Sequence, residues 1–452
     1  MKSINPATGQ PIREYLEHEP HEVSAIIEEV QSAWSGWKDT SFAHRALLMK
    51  NAAQLLRHKK ADLAFLMTLE MGKLLRESEA EIEKCAWVCD FYADHAARML
   101  EDEMVVTDAT RSFIAFQPMG VILAVMPWNF PFWQVVRFAA PALMAGNAAV
   151  LKHASNVPGC ALTIEKIFRE AGFPANLFRA LMIPPGAVEA VISHPSVVAA
   201  TLTGSEAAGS HVASLAGKLL KKTVLELGGS DPFIVLDDAD LEMAVRTAVS
   251  ARMINQGQSC IAAKRFIVMD QVAGQFETGL RQAFTKLRIG DPMDPETMAG
   301  PLARPDLVDE IENQVKLSVQ AGARLVTGGN RPDRPGCYFE PTILADVKEG
   351  MPVYSQETFG PVVAIIPVHS EEEAVRVAND SSFGLGGCVW TRNLERGESV
   401  ARRVATGAMF VNGMTKSDPR LPFGGIKKSG YGRELGTFGI REFVNIKTIW
   451  IG

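Results

Sequence analysis

Apolar residues recur at helical spacing through the first hundred positions: Ile26, Ile27, Val30 and Trp34 mark one face, and Leu47, Leu48, Ala52, Leu55 and Leu56 mark another. Both faces are expected to pack onto a sheet. From Gly120 onward the pattern becomes short continuous apolar runs separated by helical stretches. Strands are predicted over 121–126, 148–152, 197–202 and 223–227, with helices running to Ala145, from Pro158 and from Ser205. Such alternation implies parallel strands joined by crossover helices. Strands that are apolar throughout imply a sheet covered on both faces.

A second run of alternation starts near Phe233. It carries a helix over 244–254, a strand over 265–269, a helix over 276–287, a strand over 362–368 and a short one over 409–411, enough for a second sheet. Residues 328–336 are rich in Gly, Pro, Arg and Asp and read as an exposed loop. Two segments fit neither sheet: 104–117, which reads as a hairpin, and 443–451, which reads as a terminal strand. Projecting strands of this kind commonly pair with the sheet of another subunit.

Composition narrows the class. A chain of 452 residues with 47% apolar content fills two or three domains. Its net charge of −6, with both signs interspersed, offers no footprint for nucleic acid or an anionic membrane surface. The most apolar stretch, 121–151, is broken by Asn129, Pro131, Arg137, Pro141 and Asn147, so it reads as strand, loop and helix, with no membrane span. The first nine residues show neither an export segment nor an arginine-rich presequence, and the cytoplasm is the expected compartment. Six cysteines in so long a chain do not make a disulfide framework, which agrees with a reducing environment. Cys85 and Cys89 share a helix face, but no further ligand pair completes a metal site, and both read as packing residues.

One cysteine stands apart. Cys260 closes the run Asn255-Gln256-Gly257-Gln258-Ser259-Cys260, and Glu226 ends an apolar strand just before two glycines. A thiol and a carboxylate offered from separate loops suit covalent acyl chemistry: a soft nucleophile for a carbonyl and a base for water. A carboxylate in a partly desolvated cleft has its pKa raised toward the range of a general base. Asn129, between Trp128 and Phe130 at a strand end, offers an amide to a developing oxyanion alongside the Cys260 N–H. No strand is followed by a GxGxxG fingerprint. Gly204 and Ser205 instead lie between a strand and a helix, where small groups and N–H donors suit a pyrophosphate.

Six ordered motifs then show a resemblance to the aldehyde dehydrogenase superfamily: Pro127-Trp128-Asn129-Phe130-Pro131, Thr203-Gly204-Ser205, Leu225-Glu226-Leu227-Gly228-Gly229, Gly257-Gln258-Ser259-Cys260, Glu357-Thr358-Phe359-Gly360-Pro361 and Pro422-Phe423-Gly424-Gly425-Ile426-Lys427. The likeness runs from residue 4 to the last strand. It implies an α/β fold with two Rossmann-type parallel-sheet domains and a small β oligomerisation element. The expected division is a NAD(P)-binding domain over 1–103 and 119–232, a catalytic domain over 233–424, and oligomerisation strands over 104–118 and 433–452, in a homodimer or homotetramer. The resemblance also implies that Cys260 attacks an aldehyde to give a thiohemiacetal and then a thioester, which water activated by Glu226 hydrolyses. Trp128, Lys152, Ser155, Gly204, Ser205, Leu227, Glu357 and Phe359 are the implied cofactor residues, with Lys152 and Glu357 on the two riboses.

NAD and NADP both remain open as cofactors. Ser155 stands where NAD-selective relatives often carry a glutamate that repels a 2′-phosphate. The nearest resemblance within the family is to succinate-semialdehyde dehydrogenases, in which an arginine matching Arg137 contacts the substrate carboxylate. The chain departs from that pattern at Ile254, where several relatives place a second arginine; Arg252, Lys264, Lys416 and Arg420 are the cations nearby in sequence. Another semialdehyde or a broad range of aldehydes is the rival substrate reading. A thioester hydrolase or acyl transferase would also use Cys260, but would not need the cofactor motifs.

Overall fold

A computed structural model describes all 452 residues. Two sheets organise the chain. The first has six strands in the order 430–431, 222–226, 197–203, 121–126, 148–153 and 178–180, all parallel except the short first one. Strand Val121–Met126 sits in the middle because the chain winds out through 148–153 to 178–180 on one side, then returns through 197–203 to 222–226 on the other. A parallel sheet that reverses its winding opens a crevice at the carboxyl ends of the central strands. Trp128-Asn129 and Gly204-Ser205 follow the two strands that border this crevice.

The second sheet has seven strands in the order 324–327, 342–345, 362–368, 263–269, 231–235, 388–390 and 410–411, antiparallel only at its first pair. Four residues separate the end of strand Lys222–Glu226 of the first sheet from the start of strand Asp231–Val235. The Gly228-Gly229 linker therefore runs from the carboxyl edge of one sheet to the amino edge of the other, and strand Ala263–Met269, next to Asp231–Val235, brings the Cys260 loop to the same seam. A continuous apolar core joins Ile122 and Leu202 of the first sheet to Phe233 and Val363 of the second.

The four N-terminal helices span Pro20–Trp37, Phe42–His58, Lys60–Met71 and Leu75–Met99. In the second, Leu48, Ala52 and Leu56 are buried but Leu47 is 59% exposed, because Arg45, Met49 and Ala53 take the inward positions. A third sheet is antiparallel and has three strands. The expected hairpin appears as Glu103–Met104 and Arg111–Pro118, and the terminal strand Val444–Ile451 pairs with Arg111–Pro118 within the same chain along all eight residues. The outer edge of Val444–Ile451 is free, and Ile446, Trp450 and Ile451 are exposed on it. No helix is long and apolar enough to cross a membrane.

Candidate active site

The loop leading to Cys260 is held in a left-handed conformation. After helix Leu241–Met253, Asn255 (φ 50°, ψ 40°), Gln256 (φ 60°, ψ 30°) and Gly257 (φ 76°) lie consecutively in the left-handed region. The two non-glycine residues cost roughly 1–2 kcal/mol each there, so the surroundings must enforce the turn. Arg252 does much of this. Its buried guanidinium donates to the carbonyls of Ala263 (2.9 Å), Gly257 (3.1 Å), Thr358 (2.8 Å) and Gly360. Asn255 Nδ2 donates to Asn129 O (2.7 Å), and Gln258 Oε1 accepts from Ala303 N (2.8 Å). A Cβ on Gly257 would overlap the Gly360 carbonyl, so only glycine lets the Cys260 loop lie against the Glu357–Pro361 segment. Lys264, fully buried, clamps the next turn by donating to the carbonyls of Ser259, Cys260 and Ala262 at 2.8–3.1 Å.

Cys260 is the half-buried junction of two cavities. Desolvation pushes its thiol up to about 12, against the opposing pull of Lys264 and Arg137. Glu226 ends its strand 2% exposed, with both carboxylate oxygens lacking a hydrogen-bond partner. Burial raises its pKa well above the ordinary range, repulsion from the buried Glu434 adds to this, and Arg137 and Arg433 oppose it. Asn129 is buried between two neighbours: its Nδ2 donates to Gln258 O (3.0 Å), and its Oδ1 accepts from Gln134 Nε2 (3.1 Å). The second proton of that amide stays available for an oxyanion.

The larger cavity, about 490 Å³, is a cleft bordered by Trp128, Asn129, Gly204, Ser205, Leu227, Glu357, Phe359 and Cys260. Ser205 caps helix Glu206–Lys218, its hydroxyl accepting from Ala208 N (3.3 Å). The amide-rich start of a 13-residue helix thus faces the cleft. Glu357 Oε1 accepts from Gly229 N (2.9 Å), and Trp128 meets Phe359 edge-on with centroids 5.8 Å apart. A Cβ on Gly228 would overlap the Glu357 carboxylate. The cleft fits a dinucleotide in size and in chemistry: an anion site at a helix start, a carboxylate for ribose hydroxyls and apolar walls for a ring. Lys152, His153 and Ser155 lie outside this lining. Lys152 is buried at its strand end, Ser155 is half-buried, and the His153 ring sits between the carbonyls of Met126 (3.3 Å) and Pro131 (2.9 Å), so His153 braces the Trp128 loop.

The smaller cavity, about 220 Å³, lies on the other side of Cys260 and is bordered by Phe130, Trp133, Arg137, Ile254, Ile261 and Phe423 among others. Arg137 reaches it from helix Trp133–Met144, but is already ion-paired through Nε to Glu434 and lies over the Phe423 ring at 4.8 Å. The nearby cations considered from sequence are committed elsewhere. Arg252 and Lys264 hold the backbone as described; Lys416 is exposed, and Arg420 is paired with Asp418 at the surface (2.7 Å). Among the residues that no motif marked and that also border the cavity are Lys73, Glu81 and Lys84, from the N-terminal helical region, and Ser417. Only the folding of the 410–420 segment over helix Leu75–Met99 brings Lys84 and Ser417 together.

A profile of the aldehyde dehydrogenase family matches residues 1–449. The chain belongs to the aldehyde dehydrogenase family. This aldehyde dehydrogenase is 54% identical over 451 residues to a Synechocystis protein named probable succinate-semialdehyde dehydrogenase (NADP(+)), covering 100% of this chain and 99% of the relative. It is 49% identical over 454 residues to succinate-semialdehyde dehydrogenase (NADP(+)) 1 of Mycobacterium tuberculosis, with the same coverage. The crystal structure of succinic semialdehyde dehydrogenase from Streptococcus pyogenes in complex with NADP+ superposes with a TM-score of 0.98 at 41% identity, covering 100% of this chain and 99% of that one.

Proposed function

We propose that this aldehyde dehydrogenase oxidises succinate semialdehyde to succinate with NADP+. The carrying observation is that Cys260 forms a wall of both cavities, one suited to a dinucleotide and the other bordered by cations. An aldehyde in the smaller cavity meets sulfur at its carbonyl: the S–C bond forms as the S–H bond breaks, the charge developing on oxygen is received by the Asn129 amide and the Cys260 N–H, and the proton released from sulfur ends on that oxygen in the thiohemiacetal. Trp128, Gly204, Ser205, Leu227, Glu357 and Phe359 would hold a nicotinamide, which would supply the two-electron acceptor for the hydride lost when the thiohemiacetal becomes a thioester, the hydroxyl proton passing to solvent. Glu226 then takes a proton from water, the resulting hydroxide attacks the thioester carbon, and the Cys260 sulfur leaves and is reprotonated.

Support for the substrate comes from Arg137 at the cavity wall and from the relatives named for succinate semialdehyde. Support for NADP+ comes from those names and from the absence of a carboxylate at Ser155, three residues after Lys152. Initial rates with succinate semialdehyde and butanal, each with NADP+ and NAD+, test both halves. The expected result is the highest kcat/KM for the semialdehyde with NADP+; a higher value for butanal overturns the substrate, and a higher value for NAD+ the cofactor.

The free, apolar edge of Val444–Ile451 supports a homodimer or homotetramer built by strand pairing, which sedimentation will read directly. Six unpaired thiols support a reducing, cytoplasmic setting.

A further inference from the structure

The smaller cavity holds three cations, and they differ in what opposes their charge. Lys73 is ion-paired with Glu81, both side chains almost completely buried, and Glu81 also accepts from the backbone N–H groups of Phe132 and Trp133 (2.9 Å each). Arg137 is ion-paired with Glu434. Lys84 alone has no carboxylate partner: its ammonium donates to Ser417 Oγ (2.7 Å) and lies over the Trp133 ring at 4.3 Å. A half-buried ammonium facing a cavity, with a hydroxyl and an aromatic face as its company, is short of an anion. The repulsion between Lys84 and Arg137 adds to this shortage, and burial brings the amine down to about 8. A single carboxylate placed between the two would relieve both. Ile254, on the same cavity, contributes only an apolar wall.

We infer that Lys84, assisted by the Ser417 hydroxyl, is the second cation that recognises the substrate's distal carboxylate, entering from helix Leu75–Met99 while Arg137 enters from helix Trp133–Met144. The two helices pack against each other, so the pair is held on a rigid frame. This rests on the reading that the substrate is a carboxylate-bearing semialdehyde. Specificity for the acidic aldehyde then depends on a lysine, and unlike an arginine a lysine loses its charge within the range of an ordinary assay.

The test compares wild type, Lys84→Met and Lys84→Arg with succinate semialdehyde and with butanal, read as the ratio of the two kcat/KM values. Lys84→Met is expected to lower that ratio by about 10- to 100-fold, the loss that follows removal of a charge-assisted hydrogen bond, and Lys84→Arg is expected to restore most of it. A pH series supplies a readout that packing alone would not move. The charged groups facing Lys84 are Glu81 on its own helix, Arg137 on the neighbouring helix and Asp418 beside Ser417, with Cys85 as a further titratable neighbour. The KM for succinate semialdehyde is expected to rise above about pH 8 in wild type and to stay flat through that range in Lys84→Arg. A Lys84→Met variant that folds with a normal thermal transition and keeps the wild-type ratio overturns the assignment. Wild type showing no preference for the semialdehyde overturns the substrate reading itself, a different result.

Discussion

Glu226→Gln separates the two halves of the reaction. The side chain is buried, its two oxygens accept no hydrogen bond, and the replacement has the same shape, so the variant removes a charge and a base while leaving the local packing filled. A positioned general base contributes about 10²- to 10⁴-fold, or roughly 3–5.5 kcal/mol of barrier, and that loss should fall on thioester hydrolysis alone. Stability should not suffer. Desolvation and the neighbouring Glu434 both oppose a charge at position 226, so the neutral amide escapes a cost that the carboxylate carries. Unfolding free energies are expected to agree within about 1 kcal/mol, since the buried amide brings a modest penalty of its own. Mixing enzyme, NADP+ and succinate semialdehyde in a stopped-flow instrument should give a rapid burst of reduced nicotinamide equal to one equivalent per active site, then a steady state slowed by the factor above. Loss of the burst together with the steady state would refute the reasoning. Glu226 would then act before the thioester forms, on the Cys260 thiol itself.

Two further predictions follow from the loop and its thiol. Arg252→Met deletes the donor shared by the Gly257, Ala263, Thr358 and Gly360 carbonyls, so denaturant unfolding should show a loss of about 2–4 kcal/mol and kcat should fall as the left-handed turn loosens; unchanged kcat would mean the turn holds without it. Because burial raises the Cys260 thiol, its alkylation by iodoacetamide in the absence of cofactor should accelerate about tenfold per pH unit from pH 7 to 10, and a plateau near neutrality would show that Lys264 and Arg137 outweigh the desolvation.

Much of the fold could be read from apolar runs bounded by glycine and proline: strands 121–126 and 362–368 have the limits expected from sequence. Where a strand opens on polar or proline residues the signal is hidden, as at Asp231-Pro232, which begin a strand whose apolar part starts at Phe233. Three-residue strands such as 178–180 and 388–390 are too short to show a period, and helices 305–320, 371–379 and 394–403 carry enough charge on their outer faces to blur into loops. The site divides along the same line. Cys260, Asn129, Gly204, Ser205 and Glu357 sit in short motifs, and the structure gathers them around one cleft, while Glu226, also in a motif, is buried at its strand end and borders neither cavity. Lys84 sits in no motif. One lysine on a 25-residue amphipathic helix looks like any solvated residue until Ser417 and Trp133 are folded against it. Ser155 shows the converse: it is legible by its place after Lys152, yet half-buried outside the lining of the cleft.

The central claim is that an acyl group passes through Cys260. Acid quench of Glu226→Gln during its burst with succinate semialdehyde and NADP+, followed by peptide mass analysis, tests it most directly. The account predicts one succinyl group on the peptide containing Cys260, absent when NADP+ is omitted and labile to hydroxylamine. An unmodified Cys260 peptide at full burst amplitude, or acylation at any other residue, would contradict it.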